Sequence, residues 1–207
     1  MQEKKLFQLV IATTNFHKLR EYKILLQEFT HLDLLSLKDF PHYHPAEETG
    51  SSFKENAAVK AENAAKAINQ WVLADDSGLV VPALQGEPGI RSARYGGQNA
   101  SDADNRKKLL ANMKDLKENE RTAYFECCIA IASPDGLKRC VCASVEGSII
   151  NQEKGGSGFG YDPLFVKNDY NKTFAELEES LKNKVSHRRK ALDKITAYLR
   201  SLAFERV

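Results

Sequence analysis

Apolar positions recur along this chain at two periods, and the alternation between them predicts a mixed α/β protein. Residues 7–12 form a nearly continuous apolar run and read as a first strand, followed by Thr13-Thr14-Asn15. Leu19, Tyr22, Leu25, Leu26 and Phe29 then repeat at helical spacing. Residues 31–48 are mixed, with Pro41, His42, His44 and Pro45 marking a loop. Ser52-Phe53-Lys54-Glu55 has the pattern of a capping box and opens a second helix. Its inner stripe is narrow: Phe53, Ala57, Ala61, Ala64 and Ile68. Trp71-Val72-Leu73 reads as a strand that ends in an acidic turn, Ala74-Asp75-Asp76-Ser77-Gly78.

Ser101 caps a third helix whose core face is Leu109, Leu110, Met113 and Leu116. Extended runs at 122–133 and 137–150 flank Pro134-Asp135-Gly136, which predicts a β-hairpin. A glycine-rich loop, 155–163, precedes a short strand at 164–166. Two helical stretches close the pattern, the second running from about 188 to 204 with Ala191, Leu192, Ile195 and Leu199 inward. No repeat, low-complexity tract or linker divides the 207 residues, so a single domain is expected.

Composition narrows the function classes. The 42% hydrophobic and 28% charged content fits a soluble chain with a substantial core, and the net charge of +2 gives no global case for nucleic-acid or membrane binding. No apolar run approaches the roughly 20 residues of a membrane span, and the run at 7–12 is too short for a signal segment. A cytoplasmic address is therefore expected. Cys127, Cys128, Cys140 and Cys142 lie in strand-like runs without zinc-site spacing, and are expected as reduced, half-buried thiols.

Candidate chemistry clusters at the element ends. Asp75 and Asp76 follow an apolar strand, where an open sheet binds ligands, and hard oxygen donors there suit Mg²⁺ beside phosphates. Glu47 and Glu48 precede a helix start and would add carboxylates if the fold brings the segments together. Thr13, Asn15 and Lys18 stand where a strand meets a helix, a place that attracts anions, although Thr-Thr-Asn equally serves as a helix cap. Phe159 and Tyr161 in the glycine loop are placed to face a planar base. The basic segment around Lys182, His187, Arg188 and Arg189 is either a solvated helix face or a set of donors to carbonyls and phosphates.

In order and spacing, TTNFHK, EETGSSFKENAAVKA, ADDSGL, PGIRSARYGG, GGSGFGYDPLF and KNKVSHRRKAL resemble the inosine/xanthosine triphosphate pyrophosphatase family. The resemblance spans about residues 9 to 200. It implies a mixed α/β fold around a long twisted sheet flanked by helices, with two lobes and an active-site cleft between them. It further implies a homodimer, Mg²⁺ dependence, and conversion of a nucleoside triphosphate such as ITP, dITP or XTP to monophosphate and pyrophosphate.

By position, residues Thr13, Thr14, Asn15, Phe16, His17 and Lys18 match the family's triphosphate-binding motif. Asp76 matches the acid taken as catalytic base and metal ligand, Glu47 a second metal-site acid, and Ser77 a substrate contact. Phe159, Gly160, Tyr161 and Asp162 match the base-binding loop, and Lys182, His187 and Arg188 the remaining substrate contacts. Thr14 replaces a common glycine, Arg189 stands where a small residue is usual, and 36–45 match no motif of the family. A non-catalytic nucleotide- or RNA-binding module, using the glycine loop and the basic segment 182–190, is the alternative that the acids argue against.

Overall fold

The computed structural model describes residues 6–202. Six strands form one sheet in the order β2-β1-β3-β4-β5-β6. They are β1 (Phe7–Ile11), β2 (Leu32–Ser36), β3 (Val72–Val80), β4 (Thr122–Ser133), β5 (Gly136–Ile149) and β6 (Phe165–Lys167). The helices are α1 (Phe16–Leu25), α2 (Phe53–Ile68), α3 (Asp102–Asn112), α4 (Glu179–Val185) and α5 (His187–Ser201). The chain divides into two compact units: one takes the segments up to Asp76, Cys128–Cys142 and from Arg189 on, the other Ser77–Cys127 and Ala143–Arg188. The fold is mixed α/β. No described helix is long and apolar enough to cross a membrane.

In the first unit β1 pairs in parallel with both β2 and β3, with Leu9 opposite Leu34 and Val10 opposite Val72. Parallel neighbours need crossovers, here α1 between β1 and β2, and α2 between β2 and β3. The chain moves outward from β1 to β2, then back past β1 to β3. Because such crossovers are right-handed, this reversal puts α1 and α2 on opposite faces. The β1/β3 boundary is thus a topological switch point, where open sheets bind ligands beyond the strand ends. Leu9, Val10, Ile11, Val72 and Leu73 are fully buried, and so are Tyr22 of α1 and Ala57, Ala61 and Ala64 of α2.

The second unit packs around Phe125. Its ring meets Phe165 edge-on at 4.8 Å and lies parallel to Phe174 at 6.0 Å. Leu79, Val81, Leu109, Met113, Val145 and Leu164 close the cluster.

Several expectations change. The structure adds β2, an edge strand in the segment read as mixed; its Leu-Asp-Leu-Leu-Ser sequence is buried at both ends and half-buried between, so it lacks alternation. The acidic turn is corrected as well: Asp75 and Asp76 sit in the middle of the nine-residue β3, which continues through Gly78 to Val80. Lysine partners compensate the acids, so the strand does not have to break to hydrate them. The cap of α2 is only half reciprocal. Ser52 accepts from the Glu55 N–H, while the Glu55 carboxylate takes Ser51 instead. The last helix extends from His187 to Ser201; the expected end at 204 lies outside the described residues.

The reduced-thiol expectation is corrected for two of the four cysteines. Cys128 and Cys142 form a disulfide, with Cα atoms 4.0 Å apart, whereas Cys127 and Cys140 keep their thiols. The two residues lie fourteen apart on either side of the β4–β5 turn, and the hairpin folds one strand back beside the other.

Gly78 shows why β3 can pass the next segment so closely. A β-carbon there would lie 2.7 Å from the Gly89 carbonyl and against the Ser92 side chain, whose hydroxyl accepts the Leu79 N–H at 2.9 Å. Gly78→Ala is expected to destabilise the protein by about 1–3 kcal/mol. Urea unfolding would measure it, and an unchanged midpoint would contradict the close approach.

Candidate active site

In the first unit, Asn15 caps α1: its side-chain oxygen accepts from the His17 and Lys18 N–H groups at 2.9 and 3.1 Å. Thr13 in turn accepts the Asn15 N–H through its hydroxyl at 3.2 Å. The cap reading is therefore realised, and it leaves the Asn15 amide NH₂ as the group this side chain can offer a ligand. Thr14, Phe16 and His17 are exposed. With Thr13 and Asn15, Thr14 and Phe16 line a cavity of about 290 Å³ that Leu37, Lys38 and Phe40 close from the other side. Lys18 turns inward and pairs with Asp75 at 2.9 Å.

The neighbouring acid faces the other way. Successive side chains of a strand point to opposite faces, so Asp75 meets Lys18 of α1 and Asp76 meets α2. One Asp76 oxygen lies 3.1 Å from the Lys60 ammonium; the other accepts from the Asn56 amide at 3.1 Å. Lys60 also reaches Glu48 at 3.0 Å. Asn56 is buried, and its oxygen accepts the Gly50 N–H at 2.8 Å, tying the acidic loop to the helix.

Burial pushes the Asp76 carboxyl above its ordinary range, and the charges of Lys60 and Lys18 offset only part of that push. Burial lowers Lys60, but Asp76, Asp75 and Glu48 together outweigh it and hold the ammonium above its usual value. Glu47, expected beside Asp76, is exposed, and it is Glu48 that joins the ion-pair set.

The second unit carries the other candidates. Asp162 and Lys182 are both buried and pair at 2.6 Å. The same carboxylate oxygen accepts the Phe159 N–H at 2.9 Å, which folds the glycine loop back on itself. Lys182 and Arg188 lie 5.1 and 5.2 Å from the centre of the Phe159 ring, cations over an aromatic face. The Tyr161 hydroxyl donates to the Ser92 carbonyl at 2.9 Å, and burial raises its pKa. Arg188 donates to the Ser77 hydroxyl at 2.9 Å, and His187 stacks on Phe125 at 4.8 Å.

Arg189 belongs to the first unit, where Glu28 and Asp193 take its charge at 3.1 and 2.7 Å. Its charge is thereby neutralised at the surface.

Sequence reasoning passed over Lys60 and Asn56. A signal was available: they are four residues apart on the alanine-rich face of α2, polar interruptions in an otherwise apolar stripe.

The sequence profile described as the Ham1 family matches residues 9–198, nearly the whole chain. This chain belongs to the Ham1 family. A relative from Protochlamydia amoebophila, named dITP/XTP pyrophosphatase, is 56% identical over 196 residues, covering 94% of this chain and 98% of that one. One of the same name from Chlamydia abortus is 51% identical, covering 94% and 95%. Among solved structures, a Ham1 protein from Coxiella burnetii superposes with a TM-score of 0.85 at 37% identity, covering 94% of this chain and 98% of that one. The Staphylococcus aureus Ham1 protein gives 0.82 at 41% identity, covering 93% and 97%. Membership in the Ham1 family thus rests on agreement of sequence and fold along almost the entire chain.

Proposed function

We propose that this Ham1 chain hydrolyses non-canonical purine nucleoside triphosphates, namely ITP, dITP and XTP, to the monophosphate and pyrophosphate, and so cleanses nucleotide pools. The observation that carries the reading is the buried Asp76 converging with Glu48 on a single cation, the Lys60 ammonium. The names borne by the relatives from Protochlamydia amoebophila and Chlamydia abortus agree with it. The same reading takes residues 1–207 as one pyrophosphatase domain that works as a cytoplasmic homodimer.

The donor set fits Mg²⁺. On the α2 face two carboxylates, Glu48 and Asp76, stand against one lysine, Lys60, leaving one net negative charge among partly or fully buried groups. Asp76 and Glu47 are the ligands that the family pattern assigns, and Glu48 is a further oxygen donor. Bound there, Mg²⁺ would neutralise phosphate charge and polarise phosphoryl oxygens.

The residues divide the remaining work. Lys18, the Asn15 amide NH₂ and the positive end of the α1 dipole attract the triphosphate. Lys60 supplies a second positive charge, and Asp76 orients and deprotonates the water that attacks the α-phosphorus. Label from ¹⁸O-water should enter the monophosphate; label in pyrophosphate would exclude attack at that position.

In the second unit Phe159 offers the base a stacking face. Arg188 is a donor only and His187 can donate through a ring N–H, which suits the 6-oxo group of hypoxanthine and xanthine. Adenine presents an amino donor instead, and an unmatched buried donor costs about 1–3 kcal/mol, roughly ten- to hundredfold in selection. Pyrophosphate release from ITP, XTP, dITP, GTP and ATP, with and without Mg²⁺, tests the assignment. Preference for GTP or ATP over ITP and XTP would overturn it.

A pH dependence follows from Asp76. Its pKa is raised, so a proton competes with the cation at a higher pH than for an ordinary aspartate. Mg²⁺ affinity is expected to be full above that pKa and to fall as pH drops through it. Among nearby charges Lys60 does most to hold the pKa down, so Lys60→Met should move the fall to higher pH. Calorimetric Mg²⁺ titrations across pH would show both effects, and a fall unchanged by Lys60→Met would contradict the coupling.

A further inference from the structure

Asp102 and Arg106 hold no place among the residues assigned above to nucleotide or metal, yet both reach the apex of the glycine loop. The Gly160 N–H donates to an Asp102 carboxylate oxygen at 2.7 Å, and the Gly160 carbonyl accepts from an Arg106 Nη1 at 2.9 Å. One residue is thus held by both of its backbone polar groups. The Arg106 guanidinium also lies 2.9 Å from a carboxylate oxygen of Glu153, before the loop begins, so a single side chain ties its start to its apex.

Asp102 is not needed to cap α3. Ser101 and Asp104 already form the reciprocal capping box, with the Asp104 N–H on the Ser101 hydroxyl and the Ser101 N–H on the Asp104 carboxylate. The two loop-binding residues are four apart and share a face of the helix. The same stripe of α3 runs on into the core. Leu109 and Met113 are fully buried, and the buried Asn105 accepts the Gly96 N–H at 2.6 Å and donates to the Ala93 carbonyl at 3.2 Å. The loop is therefore pinned to an anchored element.

We propose that Asp102 and Arg106 are positioning residues for purine recognition: they clamp Gly160 so that Phe159 and Tyr161 are in place before the base arrives. The proposal rests on the reading of residues 159–162 as the base loop. Physical need supports it. Gly155, Gly158 and Gly160 all have positive φ, at 81°, 77° and 60°, and an unrestrained segment with three such glycines samples many conformations. Ordering it on binding would reduce affinity, whereas ordering it beforehand does not. Phe159 is held by Asp162 and Tyr161 by Ser92, so without the clamp the residue between them is the loop's loose point.

Asp102→Ala and Arg106→Gln are expected to raise the KM for ITP and the inhibition constant for IMP about three- to tenfold, the range for one lost hydrogen bond. The KM should rise more than kcat falls. Inhibition by pyrophosphate, which carries no base, should stay within about twofold. Asp102→Asn keeps an oxygen for the Gly160 N–H and should recover most of the affinity for IMP. The double variant should lose less than the product of the two single losses, because both side chains hold one residue.

Equal weakening of IMP and pyrophosphate would mark a general loosening of the fold and overturn the proposal. So would an unchanged KM in both single variants. Phe159→Ala separates the two levels of the argument. If it leaves IMP inhibition unaltered, the base-loop reading itself fails; if it weakens IMP while Asp102→Ala does not, only the clamp fails. Thermal melts confirm that each variant is folded before its constants are compared.

Discussion

Asp76→Asn is expected to fold and to lose about 10²–10⁴-fold in turnover, the range for a positioned general base. The substitution keeps size and shape, and an amide oxygen can still accept from Asn56. It removes the charge that a metal needs and the base that activates water, so loss of Mg²⁺ binding should accompany loss of turnover. Lys60 retains Glu48, so its ammonium stays paired. Burial already opposes the ionised form of Asp76, so the amide is expected to change stability by no more than about 1–2 kcal/mol. Steady-state pyrophosphate release and urea unfolding together test this. Activity within tenfold of the parent would remove Asp76 from the chemistry.

Asp162→Ala should act mainly on stability, with activity lost as a consequence. Its carboxylate sits 2.6 Å from the Lys182 ammonium and accepts the Phe159 N–H, and both side chains are buried. Removing one member of a buried pair typically costs about 3–5 kcal/mol. Asp162→Asn keeps an acceptor for Phe159 and should be milder. Combining it with Lys182→Met removes the charge conflict and should recover stability without restoring ITP binding, since the cation over the Phe159 ring is gone. Chemical denaturation of the single and double variants measures the pair. An Asp162→Ala protein as stable as the parent would show that the pair contributes little to the fold.

The sequence was most informative where local chemistry decides the structure. The hairpin was legible because two long extended runs surround Pro134-Asp135-Gly136, and α3 because Ser101 and Asp104 are a complete local signal. β2 was not legible, since its burial comes from β1 alongside it and leaves no period in its own residues. The acidic segment was misplaced for a related reason. Two consecutive aspartates break a strand unless partners distant in sequence compensate them, and Lys18 and Lys60 are 57 and 16 residues away. Lys60 and Asn56 were legible only as polar residues on an apolar helix face; assigning them to Asp76 required the third dimension. The Cys128–Cys142 bond depended on a register that motif reading does not supply.

The alternation of Asp75 and Asp76 along β3 has a consequence for how this segment can change. Each acid's role is set by its parity in the strand rather than by its own chemistry, because the two side chains are identical. Deleting one residue between Leu73 and Asp75 would turn every following side chain to the opposite face, presenting an acid to the wrong lysine and exchanging Ser77 with its neighbours. Substitutions in this stretch should therefore be graded in effect, whereas single-residue insertions or deletions should abolish function outright. Between the first strand's apolar run and the acid pair the chain passes through loops whose length can change without altering that parity, whereas the count within β3 cannot change.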